Sequence, residues 1–135
     1  ILGKNFLGVF PCDATPSNFK KKRIASIIFN LSKHNQEGSH FVSVLKVNDK
    51  YIYFDPLGNP CSNKYISNFL LNCTNEVLRN TKIVQSTTSM FCGIFCLAFL
   101  KFCQNKNKSL SFFLSKFDEN LELNNNIALN LVLSK

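Results

Sequence analysis

The sequence predicts an α+β fold, and two observations lead to that prediction. Segments with helical spacing of apolar residues alternate only partly with β-branched segments, whereas a parallel sheet with crossover helices would alternate them throughout. The clearest pair of strands, residues 40–47 and 51–56, is joined by a short turn and is therefore antiparallel. We expect a compact fold with a small, mostly antiparallel sheet flanked by helices.

Size and composition predict a single domain over residues 1–135. The chain has 135 residues, of which 45% are hydrophobic and 14 are Phe, enough to build a sizeable core. Six Cys in 135 residues is well below the density of small secreted disulfide scaffolds, so we expect free thiols in an intracellular, reducing environment. The longest apolar run, residues 90–100, is too short to span a bilayer, and we expect no membrane partner.

The amino-terminal part of the chain contains a segment that predicts an amphipathic helix, residues 15–35. Thr-Pro and polar cap candidates open it, and apolar residues follow at helical spacing: Phe19, Ile24, Ile27, Ile28 and Leu31. The basic run at residues 20–23 would then lie on the solvated face. Because a net charge of +8 attracts polyanions, the same run is also a candidate contact for nucleic acid phosphates.

A β-hairpin is predicted after a turn at Glu37-Gly38. The segment HFVSVLKV alternates as a strand from residue 40, residues 48–50 form a short turn, and YIYFDP returns as the second strand. His40 opens the first strand and Asp55 closes the second. Since the start of one strand in a tight antiparallel hairpin lies beside the end of the other, we expect these two residues to be neighbours.

The remainder of the chain predicts helices and one short strand. Residues 63–80 form a predicted helix whose apolar positions are Ile66, Phe69, Leu70, Cys73 and Val77. TKIVQ, residues 81–85, predicts a strand, and polar residues 86–89 predict a loop before an apolar helix that begins near Phe91. Two further helical stretches follow, at residues 109–117 and 126–133. The predicted order is helix, hairpin, helix, strand, helix and a helical tail.

The two histidines limit where cysteine chemistry could lie, because a nucleophilic cysteine needs a base. His34 lies in a polar run at the end of the predicted first helix, where an exposed or helix-terminal role is expected. His40 begins a strand and has Asp55 available through the hairpin. Asp55 would accept the ring N–H of His40, although an ordinary strand-edge histidine and an ordinary turn carboxylate explain the same residues.

Cys92 differs from the other cysteines in its position. A polar loop precedes it and Gly93 follows it, which places it near the first turn of a helix. Unpaired backbone N–H groups and the helix dipole lower a thiol pKa there and favour the thiolate. Gln85, at the end of the preceding predicted strand, is either an oxyanion donor for such a thiolate or simply a polar strand end.

The other cysteines show no pattern that indicates chemistry. Cys96 and Cys103 lie deeper in the predicted apolar helix and are expected to be small buried hydrophobes. Cys12, Cys61 and Cys73 are scattered, and no pair of motifs has the spacing of a zinc site. We therefore predict no metal site.

The order and spacing of these motifs resemble those of the adenovirus-type cysteine endopeptidases, the adenains. In that family a Gly precedes a His-aromatic pair, a strand ends in an acid-Pro turn closed by Gly, and a Gln is followed after six residues by Cys-Gly opening an apolar helix. The matching residues here are His40-Phe41, Asp55-Pro56-Leu57-Gly58, Gln85 and Cys92-Gly93. Residues 5–10 and 19–30 also resemble the family's amino-terminal segment and first helix.

The resemblance implies a cysteine protease fold with the nucleophile at the amino terminus of a central helix. It implies that Cys92 is the nucleophile, His40 its general base, Asp55 the acid that orients His40, and Gln85 the oxyanion donor. Many members have Trp after the His and Glu at the acid position, so Phe41 and Asp55 depart from the commonest pattern.

The resemblance also implies a viral maturation enzyme that cleaves capsid or core precursor proteins in the virion and host nucleus. We expect a monomer that requires no cofactor. Members are activated by a viral peptide and by DNA, and the candidate DNA contacts here are Lys20, Lys21, Lys22 and Arg23. Two alternatives stay open: a SUMO- or ubiquitin-like-protein protease, which shares the order of the site residues, and a non-catalytic basic DNA-binding or capsid-associated protein.

Overall fold

The structure, a computed structural model, describes residues 2–32, 40–87 and 89–134. Five strands form one mixed sheet in chain order: β1 (Phe6–Pro11), β2 (Ile24–Asn30), β3 (Phe41–Val47), β4 (Lys50–Phe54) and β5 (Leu78–Arg79). The three central strands are antiparallel, whereas β1 and β5 pair in parallel at the two edges. The predicted α+β class is confirmed.

Helices cover both faces of the sheet. They are α1 (Lys64–Cys73), α2 (Cys92–Leu100), α3 (Leu110–Leu114) and α4 (Asn124–Leu133). Short helical turns lie at Phe19–Lys21, Lys101–Asn105 and Leu121–Leu123. None of the helices within the described residues is long and apolar enough to cross a membrane.

Two hydrophobic clusters lie on opposite faces of the sheet. One packs α1 against residues such as Ile27, and the other packs α2, α3 and α4 against residues such as Ile28 and Phe54. Successive strand residues point to opposite faces, so Ile27 and Ile28 belong to different clusters. The helix α2 is thereby buried at the centre of one layer, and Phe54 stacks on its Phe99 with ring centroids 4.8 Å apart.

The predicted helix over residues 15–35 is wrong. Only Phe19–Lys21 forms a helical turn, and Ile24–Asn30 is the strand β2, between β1 and β3. Residues 25–29 are all buried because both faces of β2 are covered. A strand of this kind carries a continuous apolar run, and over so short a length such a run also fits helical spacing. His34 and the turn at residues 37–38 lie outside the described residues.

The predicted hairpin is confirmed, and the segment after it needs a correction. The helix predicted over residues 63–80 ends at Cys73, and Val77 lies beyond it with 37% of its surface exposed. The strand predicted at residues 81–85 is not formed; β5 lies earlier, at Leu78–Arg79. The N–H groups of Val84 and Gln85 both donate to the carbonyl of Pro56, which lies in the turn after β4, and so make no strand ladder there.

Candidate active site

The β3–β4 hairpin brings His40 and Asp55 together, as its short turn predicted. His40 lies immediately before β3 and Asp55 immediately after β4, and Ser43 pairs with Phe54 in the ladder between them. His40 Nε2 lies 2.8 Å from Asp55 Oδ1, which is a short hydrogen bond between a ring nitrogen and a carboxylate. This bond occupies Nε2 and leaves Nδ1 as the second functional nitrogen of the ring.

Asp55 is buried, with 3% of its surface exposed, and is held from several directions. The backbone N–H of Leu57 donates to Asp55 Oδ1 at 2.8 Å, as in an Asx turn. Asn80 Oδ1 accepts the Asp55 N–H at 3.0 Å, and Asn80 Nδ2 donates to the Asp55 carbonyl at 2.6 Å. Asn80 is a site residue that the sequence reasoning missed, since nothing local marks it among the other asparagines.

Cys92 is the first residue of α2, as predicted, and has 6% of its surface exposed. Burial by itself raises the pKa of this thiol. Hydrogen bonds from the His40 ring and from the backbone N–H groups of Phe41 and Gly93, together with the His40 charge, outweigh burial and hold the pKa of Cys92 below its ordinary value. The contribution of Phe41 was not predicted, because it depends on how β3 starts beside α2.

The pKa of His40 changes in the opposite direction to that of Cys92. Burial lowers the pKa of its imidazole, but the hydrogen bonds to Asp55 and Cys92 and the negative charges of both groups raise the pKa to about 9. The side chain retains 17% exposure. Because the pKa of His40 rises and that of Cys92 falls, the two shifts both favour the thiolate–imidazolium form of the pair over the neutral form.

Gln85 is buried, with 2% of its surface exposed, and is tied to the loop before α2. Its Nε2 donates to the Ser89 carbonyl at 3.0 Å, and Ser89 Oγ in turn accepts the N–H of Phe91 at 3.1 Å. Within the described ranges Gln85 Oε1 has no hydrogen-bond partner. These bonds connect the Gln85 carboxamide, through the loop, to the residue that precedes Cys92.

The remaining cysteines lie outside this constellation. Cys96 and Cys103 are buried in the core, as predicted, and burial raises the pKa of Cys96 well above its ordinary value and that of Cys103 to about 12. All six cysteines are free thiols, and in the described residues Cys12, Cys61 and Cys73 make no hydrogen bond to His40, Asp55 or Cys92. In the part of the chain that the structure describes, no group of three or more His, Cys, Asp or Glu is arranged to hold a metal ion.

The basic run forms a surface at the start of β2 and is not the outer face of a helix. Lys20, Lys21 and Arg23 are exposed, and Lys22 is half-buried. Lys22 and Arg23 also line, with Lys4, a surface cavity of about 480 Å³. The positive charges that the sequence predicted as a phosphate contact are therefore accessible to a polyanion.

Known proteins similar in sequence include proteases of adenoviruses. The protease of ovine adenovirus D serotype 7 (isolate OAV287) is 33% identical over 114 residues, which cover 73% of this chain and 56% of the relative. The protease of snake adenovirus serotype 1 is 31% identical over 131 residues, covering 86% of this chain and 64% of the relative. The chain thus spans less than two thirds of the length of either relative. No protein-family model matches the chain.

Solved structures provide a second comparison. The central domain of the uncharacterized Lpg1148 protein from Legionella pneumophila superimposes with a TM-score of 0.51 at 12% identity, covering 94% of this chain and 84% of that domain. The ASFV pS273R protease superimposes with a TM-score of 0.49 at 18% identity, covering 82% of this chain and 42% of that protein. The likeness to the Legionella domain concerns the fold alone and extends over nearly the whole chain.

Proposed function

The chain is adenain-like, related to the proteases of adenoviruses over most of its own length, and on this premise we propose that it is a cysteine endopeptidase. The observation that best supports the proposal is the position of His40 between Asp55, at 2.8 Å, and the Cys92 thiol. A base that is oriented by a carboxylate and shares a proton with a thiol at a helix start is the arrangement that nucleophilic catalysis needs.

In the proposed mechanism Cys92 attacks as a thiolate. Its sulfur bonds to the carbonyl carbon of the scissile peptide, and the carbonyl electrons move to the oxygen. When the tetrahedral intermediate collapses, the C–N bond breaks, His40 gives its proton to the leaving amine, and a thioester remains on Cys92. Neutral His40 then takes a proton from water, the hydroxide attacks the thioester, and the carboxylic acid product leaves as the thiolate reforms. Asp55 keeps the His40 ring oriented through both steps.

Two N–H donors are proposed to stabilise the oxyanion, the backbone of Cys92 and the side chain of Gln85. The N–H groups in the first turn of α2 have no acceptor within the helix, and Cys92 is its first residue. Gln85 Nε2 carries two hydrogens, and the bond to the Ser89 carbonyl uses one of them. That bond orients the carboxamide and leaves the second hydrogen for substrate; one such donor contributes about 10²–10³-fold to kcat.

Capsid or core precursor proteins, cleaved during maturation of a viral particle, are the proposed substrates. The relatives, proteases of adenoviruses, support a viral protease that acts on proteins, and the resemblance of the site motifs implies this substrate class and a location in the virion and host nucleus. The net charge of +8 and the exposed basic residues Lys20, Lys21 and Arg23 support DNA as an activating partner. The mechanism uses only side chains and backbone groups of this chain, so a monomer without a cofactor suffices.

Thiol labelling tests the proposed nucleophile directly. We expect iodoacetamide near neutral pH to modify Cys92 preferentially, as mapped by mass spectrometry, and we expect His40→Ala to slow that reaction. Cys61→Ser, which removes a partly exposed thiol elsewhere, is the matched control and should leave Cys92 labelling unchanged. Labelling spread evenly over Cys61 and Cys73, and unaffected by His40→Ala, would contradict the proposal.

Cleavage assays separate the substrate classes. The purified chain is incubated with adenoviral capsid-precursor proteins, SUMO fusions and ubiquitin fusions, each with and without duplex DNA. We expect cleavage of the precursors that is lost in Cys92→Ala. Cleavage of the SUMO or ubiquitin fusions alone would support the modifier-protease alternative, and DNA binding with no cleavage of any substrate would support the non-catalytic one.

A further inference from the structure

We infer that Asn80 is a positioning residue of the candidate active site: its buried carboxamide fixes the backbone of Asp55 so that the carboxylate meets His40. The inference rests on the proposed function of Cys92, His40 and Asp55 as one catalytic unit. It adds a residue that lies in none of the motifs matched to the adenain pattern, and whose side chain makes no hydrogen bond to His40 or Cys92 within the described residues.

The carboxamide of Asn80 makes three hydrogen bonds, and two of them bracket the same residue. Asn80 has 1% of its surface exposed. Its Oδ1 accepts the N–H of Asp55 at 3.0 Å, and its Nδ2 donates to the Asp55 carbonyl at 2.6 Å and to the Lys82 carbonyl at 3.1 Å. Bonds on both sides of the Asp55 Cα restrict both backbone dihedrals of that residue, and so the direction in which its side chain leaves the chain.

Asp55 needs this partner because the sheet ends before it. The last pair between β4 and β5 joins Tyr53 to Arg79, and the last pair towards β3 joins Phe54 to Ser43. The backbone N–H and carbonyl of Asp55 are buried at this end of the sheet. The carbonyl also accepts the N–H of Gly58 at 2.8 Å, whereas the N–H of Asp55 bonds to Asn80 Oδ1, and leaving that N–H unpaired would cost about 1–3 kcal/mol. A carboxamide has the donor and acceptor of a peptide group, so Asn80 continues the ladder for one residue with its side chain.

The same contacts connect the acid to the proposed oxyanion donor. The bond from Asn80 to Lys82 holds the segment that ends at Gln85, and the carbonyl of Pro56 accepts the N–H of Gln85 at 3.1 Å. Gly58, with φ of 74°, closes the acid turn against this segment, where an added Cβ would lie 2.8 Å from a backbone oxygen. Asn80 therefore lies at the junction between the turn that carries the acid and the segment that carries Gln85.

The test measures how the rate of Cys92 alkylation by iodoacetamide depends on pH in Asn80→Ala. If Asn80 orients the Asp55 carboxylate towards His40, the variant stabilises the His40 imidazolium less. The pH at which Cys92 becomes reactive should then rise towards that of an ordinary thiol. Alkylation at neutral pH should then slow about tenfold for each unit of displacement. Asp55→Asn serves as the benchmark, since it alters the proposed acid directly.

Asn124→Ala is the matched control for a purely structural effect. Asn124 is also buried, and its carboxamide brackets Asp118 in the same way: Oδ1 accepts the Asp118 N–H at 2.8 Å and Nδ2 donates to the Asp118 carbonyl at 2.9 Å. Its Nδ2 also donates to the Val84 carbonyl at 2.9 Å, as that of Asn80 does to Lys82, so the two variants disturb the segment before Gln85 alike and differ in the Asp that they release. We expect a similar loss of thermal stability in Asn80→Ala and Asn124→Ala. Only Asn80→Ala should displace the alkylation profile.

The outcomes separate this inference from the proposed function. A profile that Asp55→Asn displaces and Asn80→Ala does not would overturn the role of Asn80 alone, as would an equal displacement in Asn124→Ala. If neither Asp55→Asn nor His40→Ala displaces the profile, the proposed function itself fails. Should Asn80→Ala not fold, Asn80→Ser replaces the carboxamide with a single hydroxyl and adds no charge; an intermediate displacement supports the inference and an unchanged profile overturns it.

Discussion

Cys92 and Cys96 lie one turn apart on α2 and differ sharply in chemistry although both are buried. They expose 6% and 0% of their surfaces. Burial raises the pKa of both thiols, and for Cys96 it dominates, so its pKa lies well above the ordinary value in spite of the nearby Ser43 hydroxyl. For Cys92 the His40 ring and two backbone N–H groups outweigh burial, so that the pKa of this thiol lies below its ordinary value. Partners, and not burial, therefore decide which thiol is reactive.

The comparison also shows what a helix start contributes. The first turn of α2 supplies the N–H of Gly93 to the Cys92 sulfur, which agrees with the general effect of a helix amino terminus. The remaining bonds come from His40 and Phe41, at the start of β3. The reactive position on α2 is therefore the one that the hairpin end reaches, and a residue one turn further along cannot share those partners.

Replacing Cys92 and Cys96 separately should show the largest difference between the two thiols. We expect Cys92→Ala to lower the rate of precursor cleavage by about 10⁴-fold or more, because the nucleophile is lost. Cys96→Ala removes only a buried sulfur and should cost about 1 kcal/mol of stability while cleavage per folded molecule is retained. Chemical denaturation and cleavage assays measure the two quantities. Retained cleavage in Cys92→Ala would contradict the assignment.

Altering the acid should have the next largest effect. We expect Asp55→Asn to lower kcat by about 10²-fold or more, since the His40 ring loses its charged partner at 2.8 Å. The alkylation rate of Cys92 at neutral pH should fall as well, while Cys96 stays unreactive in both proteins. A variant with normal cleavage and normal labelling would show that Asp55 is only a turn residue.

The pH dependence of peptide hydrolysis and of Cys92 alkylation should distinguish the role of His40 from that of Cys92, with a smaller effect that grows gradually with pH. Leaving-group protonation needs protonated His40, whose pKa is about 9, so peptide hydrolysis should fall about tenfold per unit of pH above that value. Alkylation needs only the Cys92 thiolate and should stay level there. On acidification both rates should fall together, at a pH below the ordinary thiol range, because the pKa of Cys92 is lowered. Hydrolysis that stays level at high pH would argue against His40 as the acid.

Ser43→Ala should have the smallest effect, and it changes the surroundings of Cys96 and not those of Cys92. Among the described residues Ser43 Oγ has no hydrogen-bond partner of ordinary geometry, and its influence falls on the thiol of Cys96. Removing a buried hydroxyl that lacks such a partner should change the free energy of unfolding by less than about 1 kcal/mol. Cys92 labelling should not change. Slower Cys92 labelling would mean that the two thiols share a network.

Much of the candidate site follows from local signals. The turn at residues 48–50 predicts a tight hairpin, and such a hairpin places His40 beside Asp55 whatever surrounds it. The polar loop before Cys92 likewise predicts a helix start. The strand β2 was predicted as helix because Ile24–Asn30 is buried on both faces, and the alternation that usually identifies a strand is then lost.

By itself the sequence determined which residue types are available and where the hairpin and the start of α2 lie, since turns and helix ends depend on neighbours in the chain. Only the tertiary structure decided that β2 is a central strand, that the Phe41 backbone donates to Cys92, and that Asn80 holds Asp55 from 25 residues away. The physical reason is that buried backbone groups must find partners wherever the fold brings them, and no local pattern identifies a partner so distant in the chain.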